Sequence, residues 1–207
     1  MKDFSITMAL VDFVPVALFA AAAIILQREL YYKMSKGAFA LFAAGTIDII
    51  FAGFFKALYK LLYAAGIVDF RMLSTMYFPV ISIGFLLAGI GLVAMLTHKQ
   101  TENAARCVAA PVLFDGTVLM IAFMLAGLAM IYAVLCIVAM RIKKPVVVAL
   151  LIVSFLCSLS MGYLSSKDFD AAIWNWIAQG INIVGQGTFL ISVLLLRKAG
   201  LTDLSLH

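Results

Sequence analysis

The chain consists of apolar runs of about 20 residues separated by short charged loops, and that spacing constrains it more than any other feature. As an α-helix, a run of that length reaches ~30 Å, the thickness of a bilayer's hydrocarbon core. Within lipid every backbone N–H and C=O must find its partner inside the protein, which leaves helices or a closed barrel. Barrel strands alternate apolar and polar residues. These runs do not alternate, so an all-α, polytopic transmembrane helix bundle is expected. The proportions agree: 66% of the 207 residues are hydrophobic and 12% are charged. That is about half the charge with which a soluble domain coats its surface. The whole of 1–207 therefore reads as a single membrane domain.

The net charge of +5 does not point to nucleic acid, because the basic residues cluster at the ends of apolar runs. That is the pattern of membrane loops that carry positive charge on the cytoplasmic side. Cys107, Cys136 and Cys157 follow no metal or redox spacing and read as small buried hydrophobes. His98 and His207 stand alone, so neither a metal nor another cofactor is expected. Met1 to Met8 has no basic n-region, and the first run is expected as a retained helix.

Spans are expected over about 6–27, 37–65, 75–96, 146–164 and 171–196, with lysines 56 and 60 snorkelling from an extension of the second. The stretch 107–140, interrupted only by Pro111, Asp115 and Gly116, decides the topology. With one crossing there the chain has six spans and no clear charge asymmetry. With two crossings it has seven. One side then carries Arg28, Lys33, Lys36, Lys99, Arg106, Arg141, Lys143, Lys144, Arg197 and Lys198, and the other Lys2, Lys56, Lys60, Arg71 and Lys167. Ten against five favours seven spans, with the N-terminus outside and the C-terminus in the cytoplasm of the plasma (inner) membrane.

A repeat leads to the same count. The first half runs span, basic loop to Lys36-Gly37, span, loop with Val68-Asp69-Phe70, span, basic end at His98-Lys99. The second runs span, basic loop to Lys144-Pro145, span, loop with Lys167-Asp168-Phe169, span, basic end at Arg197-Lys198. Two triple-helix units of the same charge sense, 6–97 and 117–198, are parallel repeats. They need an odd number of crossings in the linking segment 98–116, which gives three plus one plus three.

On the last span Asn175, Gln179, Asn182 and Gln186 stand four, three and four residues apart, on one helical face. Carboxamides in hydrocarbon need partners, so this face turns inward, either as glue between helices or as the lining of a solute path. Asp48 lies about twelve residues into its span, where an ionisable group costs about 2.5–3.5 kcal/mol and is a functional candidate; it is expected to face the bundle interior, within water-mediated reach of Lys56. Asp12 and Asp115 lie nearer run ends, and Asp115 before Gly116 also suits a helix cap. Ser154 and Ser158 are one turn apart and either face the carboxamide stripe or bond back to their own helix.

The second half, about 118–198, resembles the triple-helix unit of the SWEET, SemiSWEET and PQ-loop transporters in its order of span, basic loop, span, short Lys167-Asp168-Phe169 loop, and span with Asn. No Pro-Gln pair precedes either basic loop. By that resemblance Asn182 would face a central substrate. The expected function is transport of a small polar solute along a path lined by Asn175, Gln179, Asn182, Gln186, Asp48 and Ser158, with the lipid bilayer as surroundings. A homo-oligomer is compatible with this arrangement. Two alternatives stand beside it: an intramembrane lipid-modifying enzyme with Asp48 and Asp115 as acid and base, and a non-catalytic subunit or receptor whose stripe binds partner helices.

Overall fold

The computed structural model describes residues 5–97, 117–164 and 172–201. Among them there is no strand, and the helices are α1 (Ile6–Val11), α2 (Phe13–Leu30), α3 (Lys36–Ala64), α4 (Met72–Thr75), α5 (Tyr77–Thr97), α6 (Thr117–Arg141), α7 (Pro145–Leu164) and α8 (Ala172–Lys198). The expected linking crossing within 98–116 lies outside the described residues, as does Asp115.

Helix ends follow local chemistry. The Ser5 and Ser35 hydroxyls accept hydrogen bonds from the amides of Met8 and Ala38, at 3.1 and 3.2 Å, and so cap α1 and α3. The first apolar run is interrupted at Asp12 because Pro15, three residues later, has no N–H to give to Val11. A turn at Ile142–Lys144 joins α6 to α7, with Lys143 at φ 57° and Pro145 in the first helical position. After α8 the chain turns at Gly200, φ 82°, which lets the Leu201 amide reach back to the Leu196 carbonyl.

Side-chain contacts fix the directions of the long helices. Asp12 meets Lys60 near one end of the α2–α3 pair, and Gln27 meets Thr46 toward the other, so α2 and α3 are antiparallel. Lys56 lies over Tyr77, while Gly91 packs on Ala38 and Phe42, so α5 opposes α3. Asp12 with Gln179, Phe19 with Phe189 and Glu29 with Arg197 are three successive levels of one parallel pair, α2 and α8. Ser154 bonds Gly185 across the antiparallel α7–α8 pair, and the short turn makes α6 antiparallel to α7. Hence α2, α5, α6 and α8 share one direction, and Thr97 and Thr117 stand at opposite ends of the bundle.

The helices close into a ring in the order α2, α3, α5, α6, α7, α8, with α8 returning to α2. Two seams are very close. A Cβ on Gly45 would strike the backbone of Gly84 and Ala88, and one on Gly127 the backbone of Phe85 and Leu86. Small residues are needed there because association inside lipid gains little from apolar burial, since lipid tails are as apolar as leucine. Dispersion between closely approached backbones holds the helices instead. Outward, large apolar side chains such as Phe51, Ile90, Ile121, Leu156 and Ile191 are exposed. Ile6–Leu30, Lys36–Ala64, Met72–Thr97, Val118–Arg141 and Ile173–Lys198 are long and apolar enough to cross a membrane, and Pro145–Met161 is a shorter apolar helix. This is an all-α bundle of membrane type.

The two ends differ. At the end where α2, α6 and α8 finish and α3 and α7 begin stand Arg28, Lys33, Lys36, Arg141, Lys143, Lys144, Arg197 and Lys198, with exposed Tyr31 and Tyr32 beside them. Behind this basic end the ring is filled by Leu26, Phe42, Leu92, Leu135, Leu151, Val193 and Leu196, drawn from six helices. At the opposite end polar side chains reach into the bundle.

Candidate functional site

The opposite end is organised around Asp12. The interruption between α1 and α2 sets its carboxylate beside α3, where Lys60 Nζ lies 2.6 Å from Oδ2, and beside α8, where Gln179 Nε2 donates to Oδ1 at 2.8 Å. Gln179 Nε2 also donates to the Met8 carbonyl at 2.9 Å. The Lys60 and Asp12 side chains are only 13% and 16% exposed. One carboxylate thus joins three segments, and each charge has a partner within a short bond, as buried ions require.

Lys60 is therefore an interior ion-pair partner and does not snorkel. Lys56, one turn nearer the basic end, sits with Nζ 4.1 Å from the centre of the Tyr77 ring on α5, a cation–π contact. Among the described residues no carboxylate lies within ion-pair distance of it. The expected Asp48–Lys56 relation gives way to Asp12–Lys60, since eight residues along one helix are ~12 Å and the antiparallel α2–α3 crossing brings the other two together. Nothing in the sequence around Asp12 announces this. It follows from where two helices cross.

The four carboxamides of α8 divide by environment. Asn175 and Gln179 are buried, and Gln179 is 4% exposed. Its Nε2 is used twice, whereas its Oε1 is buried without a hydrogen-bond partner. Asn182 and Gln186 are half-buried and hydrogen-bonded to none of the described residues. Asn182 lies seven residues before Phe189, so it shares that residue's face. Phe189 touches Phe19 of the neighbouring α2 and, past α7, Tyr132 of α6, at 5.9 and 5.6 Å between ring centres. The face that carries Asn182 and Gln186 is thus the axial one, between the Asp12–Lys60–Gln179 layer and the aromatic layer of Phe19 and Phe189.

Ser158 and Asp48 do not join this group. Ser158 donates back to the Ser154 carbonyl at 3.0 Å, and Ser154 donates to the Gly185 carbonyl at 2.7 Å while its Oγ lies 2.6 Å from the Tyr132 hydroxyl. These hydroxyls bind α6, α7 and α8 to one another. Asp48 stands two residues from Thr46, which points to Gln27 of α2, so Asp48 points away from α2 and its Cβ packs near Gly84 at the α3–α5 seam. It makes no hydrogen bond or ion pair with the described residues. Its place is the seam and not the axis. Asp115, the other half of the expected acid/base pair, is outside the described residues.

No protein-family model, curated protein or solved structure matches the chain.

Proposed function

We propose that the protein is a transporter or facilitator that carries a small polar solute along the axis of the bundle. One observation carries this reading. Asn182 and Gln186 lie on the inward face of α8 and are only half-buried, with no partner for their amides among the described residues. Interhelical glue would have its hydrogen bonds made within the protein, as Gln179 largely does. Unused amides between a polar layer and an aromatic floor suit a hydrated solute site, closed toward the basic end by the packed aliphatic residues. The likeness to SWEET-type transporters rests on sequence layout and assigns the same residue, Asn182, to the substrate.

The test is solute flux in proteoliposomes, scored per folded molecule. Asn182→Leu should lower flux or binding by about tenfold or more, the loss of roughly one hydrogen-bonded anchor, while the melting temperature stays within a few degrees. Unchanged flux in the folded variant would remove the main support for transport.

We further infer seven crossings, with the N-terminus outside and the C-terminus in the cytoplasm of the plasma (inner) membrane. Two parallel units, α2–α3–α5 and α6–α7–α8, support this reading, and a polar contact recurs between the first and middle helix of each: Gln27 with Thr46, and Tyr132 with Ser154. That α5 and α6 run the same way supports the odd span count of this reading. The eight basic residues at the shared end suit the cytoplasm. Single cysteines introduced at Ser5 and at Lys143, in a background without the native cysteines, should react with an impermeant maleimide from opposite sides. Labelling from the same side would overturn the model of orientation.

A further inference from the structure

The polar groups around the axis also bear on which solute they would hold. Among the described residues three charged side chains enter the bundle at this end: Asp12, Lys60 and Lys56. Asp12 is taken by Lys60 at 2.6 Å and by Gln179, so among them the charge of Lys56 has no carboxylate within ion-pair distance. The nearby Asp69 is no counter-ion for it. It pairs with Arg71 at 3.1 Å and accepts from the Tyr59 hydroxyl at 3.2 Å in the loop beyond α3. Asp48 is eight residues from Lys56, ~12 Å along α3, and packs at the α3–α5 seam.

Lys56 is on the inward face of α3. It lies seven residues after Ile49 on one face of the helix, and Ile49 packs with Ala52 and Ile81 in a group that Phe19 of the neighbouring α2 and Met124 of α6, farther round the ring, also join. Lys56 is one turn closer to the basic end than Lys60, and Asn182 is nearly one turn closer than Gln179. Since Lys60 and Gln179 meet the same carboxylate, Lys56 and Asn182 occupy the same level, ~5 Å below it. Around that level, among the described residues, stand an ammonium without an anion and the unbonded amide of Asn182, with that of Gln186 one turn nearer the basic end and the unpartnered Gln179 Oε1 nearly one turn farther from it.

We propose that the solute is a small organic monoanion or zwitterion whose carboxylate pairs with Lys56. A hydroxyl or ammonium on the same solute would donate to Gln179 Oε1 and to the Asn182 and Gln186 carbonyls. This rests on the transport reading above and narrows it. A single uncompensated ammonium matches a single negative charge. A doubly charged phosphate would need a second cation, and Lys60 is already committed to Asp12. Tyr77 holds Lys56 by its ring face, a contact that leaves the ammonium donors open to a ligand.

The test compares acids with their own amides, which are nearly the same size and lack only the charge. Lactate and lactamide, alanine and alaninamide, and acetate and acetamide are each assayed by thermal shift of the purified protein and by flux into proteoliposomes. At least one acid should stabilise and be carried about tenfold better than its amide. Lys56→Gln should abolish that preference at unchanged melting temperature. Lys56→Arg should keep it, and so should Lys36→Gln at the far end. If amides or glycerol are carried without any preference for acids, transport stands and the carboxylate assignment falls. An acid preference that survives Lys56→Gln also overturns the assignment. If no compound of either kind binds or moves, the transport reading falls with it.

Discussion

Asp12→Ala should destabilise the bundle by about 3–5 kcal/mol, because it takes from the interior Lys60 the carboxylate that lies 2.6 Å from its ammonium and removes one acceptor of the Gln179 amide at the same time. The pair is only 13% and 16% exposed, so water would rescue little of it. SDS titration in mixed micelles reads this directly. Removing both charges, in Asp12→Leu with Lys60→Met, should restore most of the loss, since the large term is the orphaned charge and not the worth of the pair. The ion pair between α2 and α8 supplies the contrast. Arg197 and Glu29 are 3.1 Å apart, and although Glu29 is 12% exposed, Arg197 is 50% exposed at the basic end and keeps water on its charge. Glu29→Gln should therefore cost less than about 1 kcal/mol. Equal effects at the two sites would show that burial does not set the strength of these contacts.

The other large effect concerns glycine, and its sign depends on position. Gly127→Ala and Gly45→Ala should each destabilise by about 1–3 kcal/mol or more, because the new methyl meets backbone that cannot rotate out of the way. Gly180→Ala and Gly187→Ala, with open space at the Cβ position, should be neutral or stabilising by up to about 1 kcal/mol, the ordinary helix-propensity gain. The same micelle titration ranks all four. A destabilising Gly180→Ala would mean that α8 packs against something at that face, such as a second copy of the chain.

These two experiments probe different sources of cohesion. In water, packed leucines would dominate the stability of a core such as that at the basic end. In lipid their burial gains only the excess of protein packing over lipid packing, so close backbone seams and satisfied polar groups carry a larger share. The charge layer at Asp12 and the seams at Gly45 and Gly127 therefore should matter more than any single leucine.

Much of this architecture was written in the order of residues. The apolar runs demand helices, because hydrocarbon forbids an unpaired backbone. The four-three-four spacing of Asn175, Gln179, Asn182 and Gln186 demands one face, because 3.6 residues make a turn. Local chemistry also set the caps at Ser5 and Ser35, the interruption before Pro15 and the turn into Pro145. Other features depend on which helices cross and at what height, and no single segment holds that information. Lys60 finds Asp12, 48 residues away in the chain, and not Asp48 on its own helix, because α2 and α3 run antiparallel. Among the described residues Gln179 is tied to protein while Asn182 is not, because α1 reaches the level of the first and stops short of the second. Asp48 looked like an axial carboxylate from its depth in a span, yet depth says nothing about azimuth, and the α5 seam took that face. The parallel course of α5 and α6 likewise emerges only from contacts passed around the ring from helix to helix. Periodicity fixes which residues share a face; tertiary packing decides what that face meets.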